Sequence, residues 1–270
     1  MSARPADRGF ALLVVLWTLV LVSLVATQVT ASGRGAVQVA SNLRGAAVLE
    51  AAADGAVHEA IFHALDPTEQ GWRADGRMRR LPMPGGELTV QLRNEAGKLN
   101  PNVASPELMA ALLRQFGLDV SPATRLAAAI ADWRFAGAEA RPLGAKAPAY
   151  RAAGRDYGPP NAPFESIGEL GAVLGMTPSL LERLAPHLTV FYDGDPDPGV
   201  ASREVLQALR LAFGAQELAP APRSATPTVT ITATANRADG TRFTRRAMVR
   251  IGEGVGGRAY RIHAWDRGPE

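Results

Sequence analysis

From Phe10 to Gly33 the chain carries no charged residue, and between Phe10 and Ala26 only Thr18 and Ser23 interrupt an apolar run. A helix rises about 1.5 Å per residue, so about 20 such residues cover the roughly 30 Å hydrocarbon core of a bilayer. No other window among the 270 residues approaches this. The pattern predicts one membrane segment, residues 10–32, with everything after Arg34 outside the bilayer. Three readings of it stand. A secretory signal peptide has an apolar run of about 7–15 residues before a small-residue cleavage site. Val29-Thr30-Ala31 could serve as that site, but the run is long for it. A plain signal anchor fits the length. The third reading rests on Arg8-Gly9-Phe10-Ala11-Leu12-Leu13, where a short charged leader ends in glycine and the apolar helix begins without a turn. Arg4 and Arg8 precede the segment and Arg34 and Arg44 follow it, so charge alone fixes no orientation.

The rest of the chain has the composition of a folded protein. Hydrophobic residues make up 47% and charged residues 20%, which excludes collagen-like and wholly disordered readings. The absence of cysteine removes disulfide frameworks, thiolate zinc sites, CxxC redox chemistry and cysteine nucleophiles together. A net charge of +3, with no arginine block longer than Arg79-Arg80 or Arg245-Arg246, describes a solvated arginine-rich surface. It is not the footprint of a nucleic-acid binder.

Residues 33–66 continue the helix into a soluble stem. Val39, Leu43, Ala46, Ala47, Val57 and Ile61 recur at helical spacing, Asp66-Pro67 ends the run, and Gly33, Gly35 and Gly45 are expected soft points. Residues 77–96 read as the first sheet strands: Glu87–Arg93 alternates polar and apolar and is entered through Pro84-Gly85-Gly86, with Arg77–Met83 as its partner. Residues 227–267 hold three more strands, Thr228–Ala235, Phe243–Ile251 and Arg258–Trp265, the first two joined at Asp239-Gly240. Between them, residues 97–215 are helical and contain a repeat. Asn100–Gly117 and Asp197–Gly214 match at nine of 18 positions without a gap, so one helical unit is used twice. Ser105 and Ser202 read as N-caps, Glu107 and Glu204 face the positive end of the helix dipole, and Leu108, Leu112 and Phe116 define a buried face closed by Gly117. A looser echo begins at Ser166-Ile167-Gly168-Glu169-Leu170 and continues into a helix over Pro178–Leu188; the first copy continues into Ala123–Trp133.

The Gly9/Phe10 junction resembles the processing site of type IV prepilins and type II secretion pseudopilins, cut between those two residues. Most such proteins carry glutamate five residues after the cut; here Val14 stands there. In a filament that carboxylate would neutralise a neighbour's new N-terminal ammonium inside an apolar core, where an unpaired charge costs several kcal/mol. A subunit with Val14 cannot offer the pairing, which fits the tip. Downstream, Gly97–Ser105, Ile130-Ala131-Asp132-Trp133, Tyr150, Tyr157–Phe164, Ser166 with Glu169-Leu170, and His187–Val190 follow in an order similar to the minor pseudopilin K family of type II secretion. The resemblance implies an α+β fold: a pilin-like long N-terminal helix and small antiparallel sheet, with a large inserted α-helical domain of SAM-like or helix-hairpin-helix-like kind. It implies a leader, residues 1–9, removed by the prepilin peptidase, which methylates the new amine. It also implies a single-pass inner-membrane protein with a periplasmic C-terminal domain, working at the pseudopilus tip with other minor pseudopilins and the assembly platform. That protein starts or caps the pseudopilus that exports folded proteins, and is no enzyme.

No cofactor is expected. Members of this kind bind calcium through acidic loops of the helical domain, but here Asp132-Trp133 runs into Arg134-Phe135-Ala136-Gly137, and Lys146 stands where glutamate is usual. Asp193, Asp195 and Asp197, with Glu204 at position 12, imitate a calcium loop, yet Pro198 occupies the position whose turn requires glycine. His58 and His63 lie about 140° apart on a helix and share no face. Glu165-Ser166-Ile167-Gly168 lacks the first glycine of a nucleophile elbow. Gly252, Gly254 and Gly257 are spaced like a dinucleotide loop but precede a strand, so a flexible hairpin loop is expected. The alternative function is a membrane-anchored periplasmic helix-hairpin-helix protein that binds nucleic acid. Such hairpins use a Gly-x-Gly turn, whereas the joints Gly117-Leu118-Asp119 and Gly175-Met176-Thr177 lack the second glycine.

Overall fold

A computed structural model describes residues 6–214, 227–252 and 257–268; within the first helix, side chains are described for 10–27 and from 37 onward. That helix, α1, runs Ala6–Leu65, 60 residues or about 90 Å. It passes unbroken through Gly33, Gly35 and Gly45, which corrects the expectation of soft points. A helical glycine costs only about 1 kcal/mol relative to alanine, and the turns on either side carry it. At Gly45 a Cβ would lie 2.6 Å from Arg237 Nη1, so glycine there lets a sheet side chain reach the stem. The helix stops because Pro67 has no N–H to donate and Asp66 Oδ1 accepts the Thr68 N–H at 2.9 Å instead. The chain then folds back: Trp72 N–H donates to the His63 carbonyl at 2.9 Å, and the two rings stack with centroids 4.5 Å apart.

The last turns of α1 cover one face of a five-stranded antiparallel sheet whose spatial order is its chain order. The strands are β1 (Asp75–Met83), β2 (Gly86–Asn94), β3 (Thr228–Arg237), β4 (Arg242–Ile251) and β5 (Tyr260–Arg267). Period-2 alternation decides which face is buried. Leu88, Val90 and Leu92 of β2, Val229, Ile231, Ala233 and Ala235 of β3, and Ala247, Val249 and Ile251 of β4 meet Leu49, Ala53, Ala56, Val57, Ala60 and Ile61 of α1. The other face is polar; Thr230, Thr232 and Thr234 stand opposite Met248, Arg246 and Thr244. Gly85 and Gly240 take the positive φ, 72° and 85°, that the two hairpin turns require. The glycine loop between β4 and β5 lies largely outside the described residues.

A helical domain is inserted between β2 and β3, and those two strands nevertheless pair over their whole length, from Gly86 opposite Arg237 to Asn94 opposite Val229. Its helices are α2 (Pro106–Gln115), α3 (Val120–Arg134), α4 (Ala147–Ala152), α5 (Pro178–Leu184) and α6 (Arg203–Phe213). The two repeat copies become α2 and α6 and pack against each other. Each is capped by its serine: Ser105 Oγ accepts from Leu108 N at 3.2 Å and Ser202 Oγ from Val205 N at 3.4 Å. The third echo differs from expectation. Ile167–Ala172 is a 3-10 helix with a Ser166/Glu169 capping box, and α5 ends at Leu184 rather than Leu188 because Pro186 cannot donate the next helical hydrogen bond. Leu108, Leu112, Leu113, Ile130, Tyr150, Leu170 and Leu209 build this domain's own core, with Phe116 half-buried against it.

Ile231 is fully buried between sheet and stem. Ile231→Ala is expected to cost about 2–5 kcal/mol, read as a lower urea midpoint in detergent. An unchanged midpoint would mean that the stem does not pack on the sheet.

Candidate functional site

Two surfaces of α1 make the candidate site. The first is the apolar span itself: Phe10–Thr27 is long and apolar enough to cross a membrane, and none of it is buried within the protein. Two of its hydroxyls are satisfied internally, Thr18 Oγ1 donating to the Val15 carbonyl and Thr27 Oγ1 to that of Ser23, both at 2.8 Å. Such pairing is what hydrocarbon demands of a polar group. Gly9 lies within α1, and Phe10 and Val14 are exposed on it. Phe10, Leu13, Val14, Trp17, Thr18 and Leu21 share one side, so residue 14 stands one turn from the Gly9–Phe10 bond. The second surface continues past the bilayer, where Val37, Val48 and Phe62 are exposed, Phe62 at 70%.

The head is fixed to this stem by a charge cluster that reading the sequence missed. Arg245 Nε donates to Asp54 Oδ1 at 2.5 Å and its Nη2 to Glu50 Oε1 at 2.6 Å. The guanidinium also lies 5.0 Å from the Phe243 ring centroid and 5.5 Å from that of Trp265. The hydrogen bond with Asp54 raises the Arg245 pKa against the cost of burial, and Glu50 adds to it. Charge-assisted hydrogen bonds contribute about 1.5–3 kcal/mol each, less here because the Glu50 side chain is 52% exposed. One signal was available: Arg245 is in phase with Ala247, Val249 and Ile251, so alternation aims an arginine at the helix side of the sheet.

The helical domain meets the sheet through a second polar seam. Glu95, wholly buried, accepts from Thr230 Oγ1 and Lys98 Nζ, both at 2.5 Å. Within the helical domain itself, Leu99 N–H donates to the His187 carbonyl and Thr189 N–H to that of Leu99, each at 3.0 Å. His187 Nδ1 lies 2.8 Å from Ser202 Oγ and 3.8 Å from Glu204 Oε2.

Asp193, Asp197 and Glu204 take partners within the protein. Asp197 Oδ1 caps the Gly199 N–H at 2.8 Å, Asp193 Oδ1 accepts from Asn100 Nδ2 at 3.3 Å, and Glu204 faces His187. Among the described residues no three His, Asp or Glu side chains are grouped to hold a metal. His58 packs on Trp265, with centroids 5.3 Å apart, while His63 stacks on Trp72. Gly117 and Gly175, at φ 92° and 93°, end a helix and a turn inside the packed domain. Asp119 follows the first as the α3 N-cap, putting an acid where a nucleic-acid hairpin needs bare backbone amides.

An apolar helix long enough to cross a membrane continues as the spine of an antiparallel meander, and a helical domain is inserted in that meander. Residues 89–193 match the family model described as Type II secretion system (T2SS), protein K. The fold is similar to that of a chain in the crystal structure of the GspK-GspI-GspJ complex from the enterotoxigenic Escherichia coli Type 2 Secretion System. The TM-score is 0.63 and the identity 15%, over 86% of this chain and 100% of that one. No curated protein matches. Residues 89–193 thus carry the similarity to the type II secretion protein K family, and the fold of the chain as a whole is that of the matched chain.

Burial pushes the His187 pKa below its ordinary range; Glu204 opposes this, while Arg93 and Lys98 add to it. Partial desolvation, Arg261 and Arg250 lower the exposed His263 likewise, but solvent screens that site. The fold favours the neutral form of the His187 ring, whereas the unfolded chain takes up protons near pH 6.5. This stability is fully present above about pH 6.5 and is lost as pH falls through the lower folded value. The thermal midpoint is expected to fall on acidification through that window, and His187→Gln to flatten the slope. A slope unaffected by His187→Gln would contradict the assignment.

Proposed function

We propose that this chain is the tip subunit of a type II secretion pseudopilus, which it starts or caps so that folded proteins can be driven across the outer membrane. The observation that carries this reading is the exposed apolar α1 with Val14 on the same side as Phe10, joined to a rigid head by Arg245, Glu50 and Asp54. Residues 1–9 are a leader, and the prepilin peptidase cuts between Gly9 and Phe10 and methylates the Phe10 amine. The mature protein spans the inner membrane once and carries its head in the periplasm. Its partners are the other minor pseudopilins of the tip and the inner-membrane assembly platform. It does no chemistry of its own and works without a cofactor.

The physical logic lies at the fifth residue of the mature stem. Along the shaft, a carboxylate at this position neutralises the N-terminal ammonium of the subunit ahead, inside the bundle of apolar stems. Val14 supplies none, so this chain has no group with which to answer a subunit ahead of it. With nothing ahead to answer and an apolar flank to bury, the subunit belongs at the end of the stack.

The test is Val14→Glu, which adds a carboxylate without touching the head. A carboxylate at residue 14 would stand without a partner among apolar stems, so recovery of the complex with the other minor pseudopilins should fall, and secretion should fall with it. If pull-down and secretion are both indifferent to the substitution, residue 14 does not determine tip placement.

A further inference from the structure

Between α3 and α4, residues 135–146 form a stretch without regular secondary structure, yet it is pinned around one buried side chain. Lys146 is 4% exposed, and its Nζ donates to the Asp132 carbonyl, the Phe135 carbonyl and Asn161 Oδ1, each at 2.6 Å. Three acceptors use all three N–H bonds of an ammonium, so the geometry is that of the charged group. The surroundings are built to match. Asp132 is wholly buried; its Oδ2 accepts from the Arg141 N–H at 3.1 Å, while Oδ1 has no hydrogen-bond partner and lies 3.8 Å from Arg141 Nε. Asn161 sits at φ 60°, and Leu143, where a large side chain rarely tolerates it, at φ 64°. A Cβ on Gly144 would lie 2.0 Å from Asp132 Oδ2, so only glycine lets the stretch close over that carboxylate.

Two carbonyls, an amide oxygen and a nearby carboxylate are the hard, all-oxygen donor set of calcium or magnesium. Calcium–oxygen distances are about 2.3–2.6 Å, close to the Nζ–oxygen distances here. A calcium ion does not fit this cage, because its centre is taken by the chain's own nitrogen.

We propose that the Lys146 ammonium is the resident cation of this oxygen cage, so that residues 135–146 are ordered without a free metal ion, and that the cage becomes a divalent-cation site once the ammonium is replaced by a carboxylate. The tether explains why the stretch can be irregular and still buried on Asp132. The positive charge cannot dissociate, and its three donors tie the end of α3, the start of α4 and Asn161 together. This inference concerns the helical domain alone and stands apart from the reading of the tip.

The test uses the full chain in detergent, with thermal unfolding followed in excess EDTA and in millimolar calcium chloride. The wild-type midpoint should be the same in both, and calorimetry should show no calcium bound at the cage. Lys146→Met keeps the stem length and removes the donors; its midpoint should fall by roughly 5 °C in either solution. Lys146→Glu should bind one calcium, and its midpoint should rise when calcium replaces EDTA. Wild-type protein that binds calcium in a manner abolished by Asn161→Ala would overturn the proposal. So would a Lys146→Met midpoint equal to that of the wild type. Should Lys146→Glu fail to fold in calcium as well as in EDTA, the cage is no latent metal site.

Discussion

The five-stranded sheet has one apolar face, and the last turns of the stem helix are what keeps that face from water. Alanines at 53, 56 and 60 let the strands approach the helix closely, while Leu49, Val57 and Ile61 fill the gaps between Val90, Leu92, Ile231 and Val249. Each such large side chain, moved out of water, contributes about 1.5–3 kcal/mol. The same helix is apolar all round further down, where lipid replaces the sheet as its solvent. One continuous element therefore serves two environments, and the head cannot hinge away without exposing both its core and the Arg245 guanidinium.

Arg245 adds a polar tie to that joint, held by Asp54 and Glu50 on one side and flanked by Phe243 and Trp265 on the other. The helical domain is tied to the sheet separately, where Glu95 accepts from Thr230 of β3 and from Lys98. Its core shares no buried residue with the sheet's core, so it could be added to a pilin-like frame without disturbing the β2–β3 register.

Local patterns were legible and distant partners were not. The α+β class, the alternation of Glu87–Arg93, the turn at Asp239-Gly240 and the caps at Ser105 and Ser202 depend on neighbours a few residues away, so periodicity exposes them. The soft points at Gly33, Gly35 and Gly45 were misjudged because a weak local penalty was weighed without the long helix around it. Arg245 meets carboxylates far back along the chain, and nothing near it in sequence names Asp54. Lys146 read only as a residue hostile to a metal; that its nitrogen collects oxygens from residues 132, 135 and 161 follows from the closing of an irregular stretch. The processing junction is the opposite case: six consecutive residues, Arg8–Leu13, carry the resemblance, and the fold adds only that they lie in one helix.

The central claim is that the apolar stem stays with the head as a trimmed, membrane-held assembly element. It is tested most directly by identifying the N-terminal residue of the protein purified from membranes, by mass spectrometry of the intact chain and its first peptide. The account predicts N-methylated Phe10. A chain beginning at Ser32 would mean that an ordinary signal peptide had been removed and the head released. One beginning at Met1 would mean an uncut anchor, and either result would contradict the account.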